Sequence, residues 1–133
     1  MDILISSNLE RLIYLICGED SEKTKELMEE LKTTGKYTIT LEMKEKLADF
    51  AAGYSTEEET AESIHDTYQK TGYVMDTHTA VAAHVCGQYR AKSGDQTKCV
   101  IASTASPYKF VKSVMSAIDA ENANADEFDL LPK

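Results

Sequence analysis

The residues best suited to chemistry lie in the stretch Ser103-Thr104-Ala105-Ser106-Pro107, where three hydroxyl groups follow a short apolar run. That run, Cys99-Val100-Ile101-Ala102, predicts a buried strand, and Pro107 is typical of the first position of a helix. Ligands of open α/β sheets bind beyond the carboxyl ends of strands. The sequence therefore predicts a binding site in this turn. A helix cap explains Ser106 and Pro107 but leaves Thr104 unexplained.

A second hydroxyl-rich turn follows a predicted strand at residues 3–5 and opens a helix. Ser7 and Glu10 have the spacing of a capping box, which is the simpler interpretation of this turn. Helix N-termini also attract anions through their free N–H groups. Arg11, one turn into the helix, adds a charge-assisted donor. Ser7, Asn8 and Arg11 are therefore candidate anion ligands, with local capping as the alternative.

Three histidines raise the question of a metal site. His78 and His84 are six residues apart on one predicted helix, which places them about 240° apart around its axis. His65 lies in the middle of another helix, beside acidic residues. Because these side chains cannot converge on one ion, the sequence predicts no metal site.

The elements around these turns are read from hydrophobic spacing, caps and glycine stops. The pattern predicts about six helices and two or three short strands, which makes the chain a helix-rich α/β fragment. Helices are predicted over about 7–17, 21–33, 41–52, 55–71, 77–90 and 107–119, and strands over about 3–5, 37–40 and 98–103. So few strands, with one at the very start, are typical of part of a larger α/β layer. Residues 121–133 are expected to form a loosely docked acidic tail.

Composition excludes several classes of partner. The 133 residues include 23 acidic and 14 basic side chains, a net charge of −9, which disfavours nucleic acid and anionic membranes. No apolar stretch approaches the roughly 18 residues of a membrane span. Cys17, Cys86 and Cys99 have no CxxC spacing, so we expect free thiols in a reducing compartment, the cytoplasm.

Four segments, taken together and in order, resemble the carboxyl-terminal part of threonine synthase, over about residues 2–120. They are Ile5-Ser6-Ser7-Asn8-Leu9-Glu10-Arg11, Asp49-Phe50-Ala51-Ala52-Gly53-Tyr54, Asp76-Thr77-His78-Thr79-Ala80-Val81 and Ser103-Thr104-Ala105-Ser106-Pro107-Tyr108-Lys109-Phe110. The resemblance implies a tryptophan-synthase-β-like fold of two α/β domains with pyridoxal phosphate between them. It implies conversion of O-phosphohomoserine and water to threonine and phosphate.

The resemblance also implies that this chain is incomplete. In the family, a Schiff-base lysine and a glycine-rich phosphate cup lie early in the chain, and neither has a counterpart here. We therefore expect no catalytic residue in this chain and no activity from it alone. Residues 1–120 correspond to the carboxyl-terminal segment, and the expected partner is the missing amino-terminal part of the same enzyme.

Roles for individual residues follow from the same resemblance. Thr104, with Ser103 as the neighbouring candidate, is implied to face the pyridine nitrogen of pyridoxal phosphate. Ser7, Asn8 and Arg11 are implied to line the pocket for the substrate phosphate, with His78 near it. A structural hydrogen bond is the alternative role for His78. Thr77 stands where the family often has proline, which leaves the local turn less defined.

Two further functions stay open at this point. One is a related pyridoxal-phosphate-dependent phospholyase that acts on another phosphorylated amino alcohol. The other is a non-catalytic acidic helical binding module. A severed segment should expose apolar surface and self-associate through it, whereas a free-standing module should be monomeric.

Overall fold

The computed structural model describes residues 5–119, 121 and 125–130. The chain divides into two compact units, residues 1–51 and 52–133. The helices are α1 (Ser7–Ile16), α2 (Ser21–Thr34), α3 (Leu41–Glu45), α4 (Glu57–Thr71), α5 (Thr77–Ser93), a 3₁₀ helix (Pro107–Phe110), α6 (Val111–Ile118) and α7 (Glu127–Leu130). Among the residues described, no helix is long and apolar enough to cross a membrane.

The first unit is built on the packing of α1 against α2. In α1, Ile13 and Ile16 are buried and pack with Leu27 and Met28 of α2 and with Met43 of α3, whereas Leu9, which helical spacing places on the same face, is exposed. Each helix begins at a side-chain cap, provided by Ser6, Asp20 and Thr40. The first unit is stabilised by the burial of these apolar side chains and by caps that satisfy N–H groups at the start of each helix.

In the second unit, α4 packs against both α5 and α6. Its core contains Ile64 of α4, Met75, Ala80 of α5 and Val114 of α6. The small side chain of Ala80 is fully buried and lets α5 approach α4 closely. This core fixes the start of α5, which carries part of the candidate site described below.

Gly35 and Gly72 end α2 and α4 as predicted, whereas α5 continues beyond its predicted end at residue 90 to Ser93 and stops at Gly94. Gly35, Gly72 and Gly94 follow α2, α4 and α5 with φ of 76°, 72° and 74°, a left-handed conformation that glycine adopts without a Cβ clash. The predicted starts were wrong by one residue in two cases. The cap of α1 is Ser6, and the capping box of α4 pairs Thr56 with Glu59.

The strand predictions are wrong for the part of the chain that the structure describes. No strand is present there; residues 37–40 and 98–103 have no regular secondary structure, and residues 3 and 4 of the strand predicted over 3–5 lie outside the described ranges. Within those ranges, Cys99 to Thr104 take part in no backbone–backbone hydrogen bond. A strand exists only with a partner that accepts and donates these bonds. Val100 is correspondingly 94% exposed.

The helix predicted over 41–52 is also too long. The α-helix ends at Glu45, and the chain continues through tight i→i+3 turns, such as Ala48 N–H to Glu45 C=O at 3.1 Å. Only Met43 is buried in this helix, and Phe50, which lies within the predicted range, is exposed. One buried side chain provides too little packing energy to extend a short helix.

Among its described residues, the acidic tail packs on the second unit through Ala125 and Leu130. Leu130 of α7 is 1% exposed and packs with Val111 and Met115 of α6. A cavity of about 270 Å³ lies beside this contact and is lined mainly by apolar side chains of α6, with Pro107 and Tyr108 of the 3₁₀ helix.

Replacing Ile64 by Ala tests the core of the second unit. Ile64 is 1% exposed, so we expect a loss of about 3 kcal/mol in the free energy of unfolding from lost burial and the cavity left behind. Urea denaturation followed by circular dichroism measures it. The matched control is Gln69→Ala, an exposed position of α4, which should change stability by less than about 0.5 kcal/mol. Equal effects of the two substitutions would contradict this account of the core.

Candidate functional site

The candidate site is organised by Asp76, the N-cap of α5. Its side chain is completely buried. One carboxylate oxygen, Oδ1, accepts hydrogen bonds from the backbone N–H groups of His78 at 2.8 Å and Thr79 at 3.3 Å. The other, Oδ2, accepts a short hydrogen bond from the Thr79 hydroxyl. A buried carboxylate is tolerated when its oxygens are satisfied in this way.

These hydrogen bonds control the charge of Asp76. Burial opposes ionisation, but the hydrogen bonds from Thr79 and His78, together with the nearby His78 ring, outweigh it and lower the pKa of the carboxyl below its ordinary value. Asp76 is therefore an anion at neutral pH and acts only as a hydrogen-bond acceptor.

Thr79 joins the start of α5 to the hydroxyl-rich turn. Its Oγ1 lies 3.0 Å from Oγ of Ser103, across 24 residues of sequence. Thr79 is buried, whereas Ser103 and Thr104 are exposed. The Thr104 hydroxyl has no hydrogen-bond partner among the residues that the structure describes. Of the two predicted cofactor ligands, Ser103 is thus anchored to the helix start and Thr104 is available for a ligand.

His78 provides a second link between the same two segments. Its ring packs on Phe110 with the centroids 5.0 Å apart, and Phe110 closes the 3₁₀ helix after the turn. Nδ1 of His78 lies 3.3 Å from Oδ1 of Asp76. The structure therefore brings together two motifs that are separate in sequence, 76–81 and 103–110, and holds the imidazole by a carboxylate and an aromatic ring.

The other three predicted substrate ligands lie in the first unit. Ser7, Asn8 and Arg11 are exposed on the first turns of α1, and Arg11 Nη1 donates to Asn8 Oδ1 at 3.4 Å. A cavity of about 530 Å³ between α1 and α2 is lined by Ser7 and Arg11, with Lys25 and Lys32 of α2. Lys32 is paired with Glu29 at 3.0 Å. The sequence reading missed the two lysines, since helix spacing alone does not show which face of α2 meets α1.

Sequence reasoning identified Asp76 only as a helix cap and did not single out Thr79. The spacing Asp-x-x-Thr was the available signal, because a residue at the third helical position lies within reach of the cap side chain. The contact of Thr79 with Ser103 had no local signal.

The cysteines are free. Cys17 and Cys86 are partly buried and Cys99 is exposed. A hydrogen bond with the Cys99 thiol and partial burial raise the pKa of Cys86. Within the described ranges, no three His, Cys, Asp or Glu side chains are grouped so as to hold a metal ion.

Comparison with known proteins identifies the family of this chain. A family model described as "Threonine synthase, C-terminal" matches residues 79–133. Threonine synthase-like 1 of Homo sapiens is 36% identical over 125 residues, which cover 93% of this chain and 16% of that protein. Threonine synthase of Saccharomyces cerevisiae is 35% identical over 148 residues, covering 100% of this chain and 29% of the relative. The chain thus spans less than a third of the length of these relatives.

A solved structure extends the comparison to the fold. The crystal structure of threonine synthase from Brucella melitensis, with pyridoxal phosphate bound, matches with a TM-score of 0.72 and 34% identity. The match covers 100% of this chain and 28% of that one. It agrees with pyridoxal phosphate as the cofactor predicted for the complete enzyme.

The chain therefore has the fold of a helix-rich part of an enzyme that binds pyridoxal phosphate. It belongs to the threonine synthase family and corresponds to the carboxyl-terminal segment of those proteins. The resemblance read from the four sequence motifs is confirmed.

Replacing Asp76 by Asn tests its role as a buried anion. Since the native pKa of Asp76 is lowered, ionisation stabilises the fold above the unfolded pKa of about 3.9, and this stabilisation is lost as the pH falls through the lower native value. We expect Asp76→Asn to lose about 1–2 kcal/mol at pH 7 and to show a flatter decline of stability below pH of about 4. Urea unfolding across this pH range measures both.

The matched control for Asp76→Asn is Asp20→Asn, a change of the exposed cap of α2. We expect it to cost a few tenths of a kcal/mol at pH 7. An Asp76→Asn profile that is parallel to the unmodified profile at every pH would contradict the assignment.

Proposed function

We propose that this chain is the carboxyl-terminal segment of an enzyme that converts O-phosphohomoserine and water to threonine and phosphate with pyridoxal phosphate. Membership of the threonine synthase family supports this proposal, and so does the solved relative with pyridoxal phosphate bound. The observation that carries it is the exposed Thr104 hydroxyl, which is unpaired among the described residues and adjoins an anchored turn.

The donor chemistry of this turn fits the cofactor. When bound, pyridoxal phosphate supplies an electron sink for carbanion chemistry at the substrate. A neutral hydroxyl at Thr104 can donate a hydrogen bond to an unprotonated ring nitrogen, whereas a carboxylate would favour the protonated ring. The nearby Asp76 carboxylate does not serve as the partner of the ring nitrogen, because it is completely buried and both its oxygens already accept hydrogen bonds.

The remaining predicted contacts concern the phosphate group of the substrate. A phosphate leaving group needs cationic and N–H donors. Arg11, with Ser7 and Asn8 at the start of α1, has these properties, and Lys25 lines the same cavity. For His78 we propose a substrate contact through its ring, which Asp76 and Phe110 hold in place.

A second candidate reaction stays open, because family membership alone does not select the substrate. This chain is about equally similar to Threonine synthase-like 1 of Homo sapiens and to threonine synthase of Saccharomyces cerevisiae, at 36% and 35% identity. A related phospholyase that acts on another phosphorylated amino alcohol would use the same cofactor and the same Thr104 contact. The residues that select the substrate would then decide between the two.

The substrate is tested on the complete protein, with its upstream part. We expect it to release phosphate from O-phosphohomoserine and to form threonine in equal amount, measured by phosphate assay and amino-acid analysis. O-phosphoethanolamine is the comparison substrate, since it is a phosphorylated amino alcohol without the carboxylate. Phosphate release from the comparison substrate alone would favour the phospholyase and contradict the leading proposal.

We propose that the partner of this chain is the amino-terminal part of the same enzyme, in the cytoplasm. The relatives are more than three times as long as this chain, and several large apolar side chains are exposed here, namely Leu41, Phe50, Tyr54, Val100 and Tyr108. Apolar surface of this kind is covered in a stable complex or drives self-association. Its three free thiols fit a reducing compartment.

The isolated 133-residue chain is expected to lack the lysine that holds the cofactor. Pyridoxal phosphate followed by borohydride should therefore give only substoichiometric adducts scattered over several lysines, as read by peptide mass spectrometry. Size-exclusion chromatography of the same sample should show self-association. A single stoichiometric adduct at one lysine would contradict the proposal, and a monomer that binds no hydrophobic dye would favour the helical binding module.

A further inference from the structure

We propose that Thr79 and Asp76 are positioning residues that anchor Ser103 and thereby present the Thr104 hydroxyl as the hydrogen-bond donor to the cofactor ring nitrogen. This inference rests on the proposed function. It concerns residues within one compact unit, and it assigns a role to Thr79 that its position inside a helix does not suggest.

Proton counting sets the direction of the hydrogen bonds. Thr79 has one hydroxyl proton and two neighbouring acceptors, Oδ2 of Asp76 and Oγ of Ser103. A carboxylate is acceptor-only and accepts charge-assisted hydrogen bonds more strongly than a neutral hydroxyl does. The Thr79 proton therefore goes to Asp76. Thr79 Oγ1 is oriented as a donor toward both acceptors but has only one proton, so the 3.0 Å contact with Oγ of Ser103 is a hydrogen bond only when the Ser103 hydroxyl turns its own proton toward Thr79.

This direction decides which hydroxyl serves the cofactor. Once Ser103 donates to Thr79, its oxygen offers only lone pairs. An unprotonated ring nitrogen also offers a lone pair, so Ser103 cannot pair with it. Thr104 keeps its proton, because its hydroxyl has no partner within the described residues.

The anchor also restricts where Thr104 can lie. The turn has no backbone–backbone hydrogen bond from Cys99 to Thr104 among the residues described, so side-chain contacts join it to α5, and that of Ser103 with Thr79 lies next to Thr104. Thr79 and Asp76 are buried and fixed by the helix start, whereas Ser103 and Thr104 are exposed. Rigid support behind an exposed donor lowers the entropy cost of binding a ligand.

The test uses the complete enzyme, freed of cofactor, and compares its affinity for two probes. One is pyridoxal phosphate and the other is the analogue in which C–H replaces the ring nitrogen. A donor to the ring nitrogen should favour pyridoxal phosphate by about 5- to 10-fold in dissociation constant. We expect Thr79→Val to reduce this preference to about 2-fold, because it removes the acceptor for Ser103. Thr79→Ser should restore it.

Two further variants separate positioning from simple stability. Thr104→Val should abolish the preference, and adding Thr79→Val to it should cause no further change in the ratio. Ser103→Ala, at an exposed position, should weaken the preference as Thr79→Val does, and it serves in place of Thr79→Val if that variant does not fold. The matched control is Thr60→Val, another buried threonine of the second unit, which should leave the ratio unchanged.

The outcomes distinguish the two proposals. Loss of the preference in Ser103→Ala with full retention in Thr104→Val makes Ser103 the donor and overturns the inference. Full retention in both Thr79→Val and Ser103→Ala, with loss in Thr104→Val, overturns the positioning role and leaves the proposed function intact. Absence of any preference in the unmodified enzyme overturns the role of Thr104 itself, and the production of threonine then decides separately whether the proposed reaction stands.

Discussion

The second unit depends on a carboxylate buried at the start of a helix. Taking the Asp76 charge out of water costs several kcal/mol unless hydrogen bonds replace the lost hydration. Two backbone N–H groups and the Thr79 hydroxyl provide that replacement, and they are available only when α5 begins at Thr77. The same carboxylate therefore fixes the helix boundary, lies beside the His78 ring and holds the hydroxyl that reaches the 103–110 turn.

The helices could be predicted well because each is determined by local sequence. Apolar spacing placed the buried face of α1, and glycines in left-handed conformation ended α2, α4 and α5. Boundaries shifted by one residue where two hydroxyl residues are adjacent, as at Ser55 and Thr56, because either can cap in isolation. Ser55 with Glu58 and Thr56 with Glu59 have the same capping-box spacing, and the structure forms the box of Thr56 and Glu59.

The strands could not be predicted in the same way, because a strand is a property of two segments. The run Cys99-Val100-Ile101-Ala102 has the composition of a buried strand, but nothing in this chain pairs with it among the residues described. Under the proposed function, the apolar run is suited to contacts with the rest of the enzyme. The exposure of Val100 agrees with that proposal.

The sequence singles out one part of the site and not the other. Thr104 stands out in the sequence because a helix cap does not account for it, and the family resemblance implies a role for it. Thr79 does not stand out, because its contact with Ser103 spans 24 residues and has no periodic pattern. A threonine inside a helix ordinarily returns its hydroxyl to the backbone of the preceding turn, as Thr60 does with Thr56. Thr79 instead has a buried anion on one side and the Ser103 hydroxyl on the other. Asp76 accepts the single hydroxyl proton of Thr79, because a neutral hydroxyl cannot compete with a carboxylate for it. Asp76 therefore sets the direction of the hydrogen bond between Thr79 and Ser103. A substitution of Asp76, the cap of α5, can therefore change the position of the Thr104 hydroxyl without contacting Thr104.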